Sequence, residues 1–172
     1  MATPPQSPEH QAPPPKAYTV LKVASEADYR AVLALRKRVF VEEQNVPLAL
    51  EIDEFETTSV YYAGKLNGET VACGRWRMLP DKRIKIERCA VSQPLRGRGL
   101  GAVLVRVMLA EIRKRHPAAE IILNAQLHAL RFYERLGFRT FGDEFTEAGI
   151  AHRKMAYNPE AGDSRLPLFP YT

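Results

Sequence analysis

Cysteine is scarce in this chain: Cys73 and Cys89 are the only two among 172 residues. Two thiols are too few for a disulfide scaffold or a four-ligand zinc site, so no structural metal is implied and a reducing, cytoplasmic setting is expected. Long apolar runs are missing as well. None approaches the roughly 20 residues that span a bilayer, and the opening Met1-Ala2-Thr3-Pro4-Pro5 lacks the charged and apolar regions of a secretory signal. No fixed-period repeat is visible, and the Gly-Lys-Ser/Thr of a mononucleotide P-loop is absent. What remains is ordinary globular material, 45% hydrophobic and 26% charged with a net charge of +5, enough for one domain around a single core.

Proline marks the ends. Residues 1–16 hold six of the thirteen prolines and almost no large apolar side chains, which reads as a disordered arm. Residues 158–172, with prolines at 159, 167 and 170, read as an extended tail. Between them, residues 17–157 alternate between two periods. A strand is expected at 18–23, then a helix opened by Ser25 with Asp28 three residues on and running through Leu33, Leu35 and Val39. Strands around 60–63 and 70–74 flank Asn67-Gly68, the strongest short hairpin signal. A strand at 84–91, a helix from about Gly99 to Arg115, a short strand at 121–123 and a helix from Leu127 to Leu136 closed by Gly137 follow, with final strands at 139–144 and 150–157. The order predicts an α/β domain with a mixed, mostly antiparallel sheet flanked by helices.

Two charge runs stand out. From Val41 to Gly64 there is no Lys or Arg but there are six acids, Glu42, Glu43, Glu51, Asp53, Glu54 and Glu56. Between Arg75 and Arg98 eight basic residues (75, 77, 82, 83, 85, 88, 96 and 98) face only Asp81 and Glu87. The basic run reads as a funnel for a polyanion, a nucleic-acid surface, or a solvated face; no nucleic-acid motif or aromatic interleaving accompanies it. The acidic run suits a cationic ligand, or it forms a solubilising loop or pairs with Arg36, Lys37 and Arg38.

The most informative segment is Val91-Ser92-Gln93-Pro94-Leu95-Arg96-Gly97-Arg98-Gly99-Leu100-Gly101, where a strand gives way to a helix. Glycines let backbone N–H groups approach a ligand closely. Those groups and the helix dipole favour phosphate, and Arg96 and Arg98 add charge. The segment reads as a pyrophosphate cradle. Gly97, Gly99 and Ala102 also satisfy the dinucleotide fingerprint formally, but the flanking strands lack its parallel, apolar context. A mere connecting turn is the bland alternative.

These residues resemble the GNAT superfamily of acetyl-CoA-dependent N-acetyltransferases. Arg96-x-x-Gly99-x-Gly101 matches the family's cofactor signature, and Asn124 followed by Tyr133-x-x-x-Gly137-Phe138 is similar to its second one. The proline, Pro94, stands one place later than usual. Blocks at Arg38–Pro47, Glu51–Glu54, Gly74–Met78, Leu123–Gln126 and Ala148–His152 resemble a bacterial subgroup of small acetyltransferases. The resemblance implies acetyl transfer from acetyl-CoA to a primary amine, a small cationic one on the charge argument above, by direct attack in a ternary complex. It implies that Cys89, Ala90 and Val91 bind pantetheine through their backbone, that Arg96, Gly97, Arg98, Gly99, Leu100 and Gly101 hold the pyrophosphate, and that Asn124 touches the pantetheine. A helix cap is the other reading of Asn124. Tyr133 is then the general acid, although Ala129, Phe132, Tyr133 and Leu136 also form a core-facing stripe. The general base stays open between Glu87, His152, Glu42 and a water relay. A small-molecule acceptor, no nucleic acid and no membrane are expected partners, and a homodimer is compatible. A non-catalytic acyl-CoA sensor or a nucleic-acid module are the alternatives.

Overall fold

Ser25 begins the helical part of the chain as expected: its hydroxyl accepts from the Asp28 amide at 3.1 Å and caps a helix. In this computed structural model, which describes residues 17–161, β1 (Tyr18–Lys22) leads to α1 (Glu26–Arg36), and α1 continues as a π-helical segment over Lys37–Glu43. After a short α2 (Leu48–Glu51) come β2 (Val60–Leu66), β3 (Glu69–Met78) and β4 (Ile84–Val91). Then α3 (Leu100–Arg115), β5 (Ile121–Gln126), α4 (Leu130–Arg135), β6 (Phe138–Glu147) and β7 (Ile150–Tyr157) complete the domain. The Pro-rich arm at 1–16 and residues 162–172 of the expected tail lie outside the described residues.

The strands form one seven-stranded sheet in the order β1-β2-β3-β4-β5-β7-β6. Every neighbouring pair is antiparallel except β4 and β5, joined through α3. Asn67 and Gly68 turn the β2–β3 hairpin with φ of 51° and 84°, the left-handed pair that a two-residue hairpin requires. Ala148 and Gly149 repeat that conformation between β6 and β7. The larger core lies between the sheet and α3, where Leu104, Val105, Met108, Leu109 and Ile112 meet Ile84, Ile86 and Leu123. A fully buried side chain of this kind contributes about 1.5–3 kcal/mol. A second, smaller core holds Val32, Leu35 and Val39 against Tyr61, Ala63, Cys73 and Ala90 on the opposite face.

Several boundaries differ from the expected ones. The helix expected at 127–136 is a 3₁₀ turn over Leu127–Ala129 followed by α4, and β6 extends to Glu147. The extra length of β6 is absorbed by an irregularity between Phe141 and Phe145, with Gly142 at φ 68°. Counting outward from the turn near Asp81 places Cys73 opposite Cys89, but the register sets Cys73 against Ala90. Cys73 sits in the smaller core and Cys89 packs toward the larger one, so the two thiols face opposite sides of the sheet and both are free.

Candidate active site

β4 pairs with β5 only through Ile84, Ile86 and the Lys85 between them; beyond that point the two strands part. Between Cys73–Ala90 and Arg75–Glu87, β4 carries one residue more than β3. Arg88 sits in this bulge at φ 57°, a conformation that costs a non-glycine residue of the order of 1–3 kcal/mol. Its guanidinium offsets that cost by donating to the Leu50 carbonyl at 3.1 Å and the Asp53 carboxylate at 3.1 Å. The edge of Cys89, Ala90 and Val91 that faces β5 is therefore left without a strand partner, although the Val91 carbonyl accepts from Arg96 Nε at 3.0 Å.

On the α3 side of this opening lies a groove of about 280 Å³, lined by Cys89, Ala90, Val91, Arg96, Gly97, Gly99, Leu100, Gly101, Phe132 and Tyr133 among others. Gly97 and Gly99 hold φ of 78° and 77°, which a side chain would strain. Gly99 is the N-cap of the 16-residue α3 and offers no side-chain acceptor, so the first-turn amides point into the groove unclaimed by a cap. Gly101 matters for packing: a Cβ there would stand 3.3 Å from Val91 and 3.4 Å from Phe132. A strand edge, a glycine turn and an open helix N-terminus together fit a pantetheine arm ending in a pyrophosphate.

On the other face is a larger cleft of about 680 Å³, reached by Phe40, Gln44, Asp53, Lys85, Glu87, Asn124, Gln126, Glu147 and His152. The groove and the cleft share Cys89, Ala90, Val91, Arg96, His128, Ala129 and Tyr133. Burial raises the Tyr133 hydroxyl well above its usual pKa of 10, and the neighbouring Cys89, with which it hydrogen-bonds, adds to the rise. Burial likewise pushes the Cys89 thiol up to about 12, only partly offset by Tyr133. Both stay protonated at neutral pH. In the cleft, the His152 ring is buried and stacked on Phe145. Its Nδ1 lies 2.7 Å from the Ile150 carbonyl. A carbonyl can only accept, so Nδ1 carries a proton, and Nε2 is the ring nitrogen that faces Glu147, at 3.7 Å. Asn124 donates to the same Glu147 at 3.4 Å.

Residues 23–159 match the family model for the acetyltransferase (GNAT) domain. The chain belongs to the GNAT acetyltransferase family. It is 37% identical over 132 residues to the uncharacterized N-acetyltransferase YjcF of Bacillus subtilis, covering 76% of this chain and 93% of that protein. Protein ElaA of Escherichia coli is 34% identical over 129 residues, 73% of this chain and 84% of that protein. The crystal structure of ElaA superposes with a TM-score of 0.73 at 31% identity, covering 82% and 98% of the two chains. An acyl-CoA N-acyltransferase from Pseudomonas aeruginosa gives 0.73 at 26% identity with the same coverage. The family is one of acyl transfer from acyl-CoA, and the small bacterial acetyltransferases resembled in sequence are the relatives found.

Within this GNAT domain the two charge runs meet each other. Arg36 and Arg75 are buried at 1% and 0% exposure. Arg36 pairs with Glu51 at 2.5 Å and Glu56 at 2.8 Å. Arg75 pairs with Asp53, Glu56 and Glu87, Arg77 with Glu87, and Arg88 with Glu51 and Asp53. The acidic run is thus not a free receptor for a cationic acceptor, since Glu51, Asp53 and Glu56 are spent on arginines, and Glu43 pairs with Arg96 at 2.8 Å. The basic run is not a free funnel either: Arg75, Arg77 and Arg88 are committed inside the fold, and Arg83 pairs with Asp81.

Other expected site residues are placed as follows. The structure brings residues 89–91, the turn residues Arg96, Gly97, Gly99, Leu100 and Gly101, and Tyr133 to one groove, whereas Arg98 is exposed and does not line it. Asn124 lies inside β5 rather than at a helix cap and lines the larger cleft, not the groove. Glu87 and His152 both line that cleft, whereas Glu42 is exposed and lines neither cavity. Burial raises the Glu87 carboxyl, but Arg75, Lys85 and Arg77 outweigh it and hold it below its ordinary value. Sequence reasoning missed Glu147, His128 and Phe132 as lining residues, and the Gln126–Gln44 hydrogen bond of 2.8 Å that ties β5 to the π-helical segment. Of these, Phe132 alone carried a signal, as part of the stripe around Tyr133.

Proposed function

We propose that this protein is an N-acetyltransferase of the cytoplasm that moves the acetyl group of acetyl-CoA to a primary amine by direct attack in a ternary complex. The observation that carries the reading is that two cavities on opposite faces of the parted strands share Cys89, Ala90, Val91 and Tyr133. A donor in one can therefore present its reacting carbon to an acceptor in the other. Bound acetyl-CoA supplies the activated acyl group; this chain supplies position and protons. The turn at 96–101 holds the phosphates, and the open edge of β4 orients the arm and offers an N–H to the carbonyl oxygen where charge develops. His152 accepts the ammonium proton at Nε2, with Glu147 beside it to stabilise the imidazolium. Glu87 suits that work less, because the cations around it weaken it as a base. Tyr133 donates its proton to the departing thiolate. Cys89 takes no covalent part, since a thiol near 12 is too little ionised to compete as a nucleophile.

The test has two arms. Calorimetry with CoA is expected to show binding that falls at least tenfold in Gly99→Val, since valine at φ 77° is strained and its branches enter the groove. A thermal melt confirms that the variant is folded. Parent-like affinity would remove the phosphates from this turn. Acceptor-dependent thiol release from acetyl-CoA is the second arm. Binding of CoA with no release in the presence of any amine would leave a sensor of acyl-CoA rather than an enzyme.

A further inference from the structure

The charged side chains around the acceptor-side cleft balance in an uneven way. Arg36, Arg75, Arg77 and Arg88 are matched by Glu51, Asp53, Glu56 and Glu87, four against four, in one connected network. Lys85 is outside it. This lysine lines the cleft and is half-buried, and its ammonium makes no hydrogen bond or ion pair with any described residue; its charge reaches Glu87 only through space. Arg77 stands directly across from Lys85 in the β3–β4 register. The Arg77 guanidinium is held by its Nε on Glu87 at 2.5 Å and by the Phe55 ring 3.7 Å beneath it, which leaves its two terminal nitrogens without partners among the described residues. The opposite end of the cleft carries the reverse sign. There Glu147, Asn124 and the Nε2 of His152 converge.

We infer that the acceptor carries a carboxylate as well as its amine, the carboxylate seated between Lys85 and Arg77 and the amine at His152 and Glu147. This rests on the reading of the cleft as the acceptor site and narrows its substrate class. A lysine ammonium and an arginine fork side by side, one of them fixed in direction by stacking, form a carboxylate receptor. The spacing sets a length. Lys85 pairs with Ile122, His152 pairs with Gln126, and the two ends are two strands apart and four residues along. With about 4.8 Å between strands and about 3.3 Å per residue, the two backbone positions are roughly 16 Å apart. The two side chains close only part of that distance. An α-amino acid, whose amine and carboxylate share one carbon, is too short; an ω-amino acid or a short peptide spans it.

The experiment uses the full chain saturated with CoA. Binding of ε-aminocaproate, hexylamine, ε-aminocaproamide and glycine is measured by calorimetry, and thiol release from acetyl-CoA is followed with the same four. Charge-assisted hydrogen bonds to a carboxylate are worth about 1.5–3 kcal/mol, so ε-aminocaproate should bind at least tenfold more tightly than its amide, hexylamine or glycine. That preference should shrink as salt rises, collapse toward one in Lys85→Met, and survive in Lys85→Arg. Equal affinity for the carboxylate and its amide, or a preference that persists in Lys85→Met, would overturn the inference. Selective binding without thiol release would sink the proposed enzymatic function while leaving the carboxylate site standing. Thiol release with all amines at equal rate and affinity would do the reverse.

Discussion

Replacing Arg75 with methionine is expected to cost the fold about 3–5 kcal/mol, because it strands three carboxylates in a buried place with their shared cation gone. Arg75 is fully buried and touches Asp53, Glu56 and Glu87 at once, and the Tyr61 hydroxyl lies 3.4 Å from its fork. Arg75→Lys should fall between parent and Arg75→Met, since it keeps the charge but cannot reach several partners in one plane. Urea unfolding at neutral pH measures both. A loss below about 1 kcal/mol for Arg75→Met would mean that the network is solvated and relaxes freely. The same network makes the protein sensitive to acid, with a definite sign. Burial pushes the Glu56 carboxyl up, but hydrogen bonds from Arg36, Tyr61 and Tyr29 outweigh it and hold it at about 2, against an ordinary 4.5. A carboxyl lowered on folding contributes stability that is fully present above 4.5 and disappears as the pH falls toward 2. Asp53 and Glu87, also lowered, act in the same direction, while Glu51, raised by its burial against the pull of Arg36 and Arg88, acts the other way and offsets part of the effect. Stability should therefore fall across this window, and fall less steeply in Arg75→Met, where part of the effect is already gone.

Tyr133→Phe is expected to lower turnover at least tenfold and to leave CoA affinity unchanged. Removing a positioned acid costs about 10²–10⁴-fold when its proton transfer limits the rate, so tenfold is a cautious floor. The ring stays. Its edge-to-face contacts with Phe132 and Phe138, at centroid distances of 4.9 Å and 5.7 Å, do not involve the hydroxyl. Only the Cys89 thiol loses a partner, and sulfur is a weak one. Steady-state rates read beside equilibrium CoA binding separate the two effects. An unchanged rate would make Tyr133 a packing residue and return leaving-group protonation to water.

The parts of the molecule that could be read from sequence are those that local chemistry dictates. Asn67-Gly68 can hardly do other than turn a hairpin, Ser25 with Asp28 caps a helix, and Gly97 and Gly99 allow the left-handed backbone of the turn before α3. The bulge at Arg88 was invisible because it places an arginine where a glycine or asparagine would have announced it. The larger cleft was illegible for a different reason: its walls come from the π-helical segment at 37–43, the stretch at 44–55, β3, β4, β5, α4 and β7, and no short window contains them. The destination of the charge runs was equally non-local, since Arg36 and Glu51 are 15 residues apart and Arg75 and Asp53 22 apart. One clue was nevertheless present. Val32, Leu35, Arg36 and Val39 follow the i, i+3, i+4, i+7 spacing of a core-facing stripe, so Arg36 occupied a buried position before any partner was known. An arginine there demands carboxylates, and the acid-rich segment downstream is where they come from.

The ion network also constrains how this protein can change over generations. A neutral cluster of four cations and four anions tolerates no single charge replacement cheaply, because each loss leaves the cluster with an uncompensated net charge away from bulk water. Lineages can cross that barrier only by substituting partners together or through an unstable intermediate. Lys85 and Glu147 sit outside the cluster and carry no such penalty, so mutation can reach them one step at a time. Change in the charge that lines the cleft is therefore easier at those two positions than in the ion-paired wall behind them.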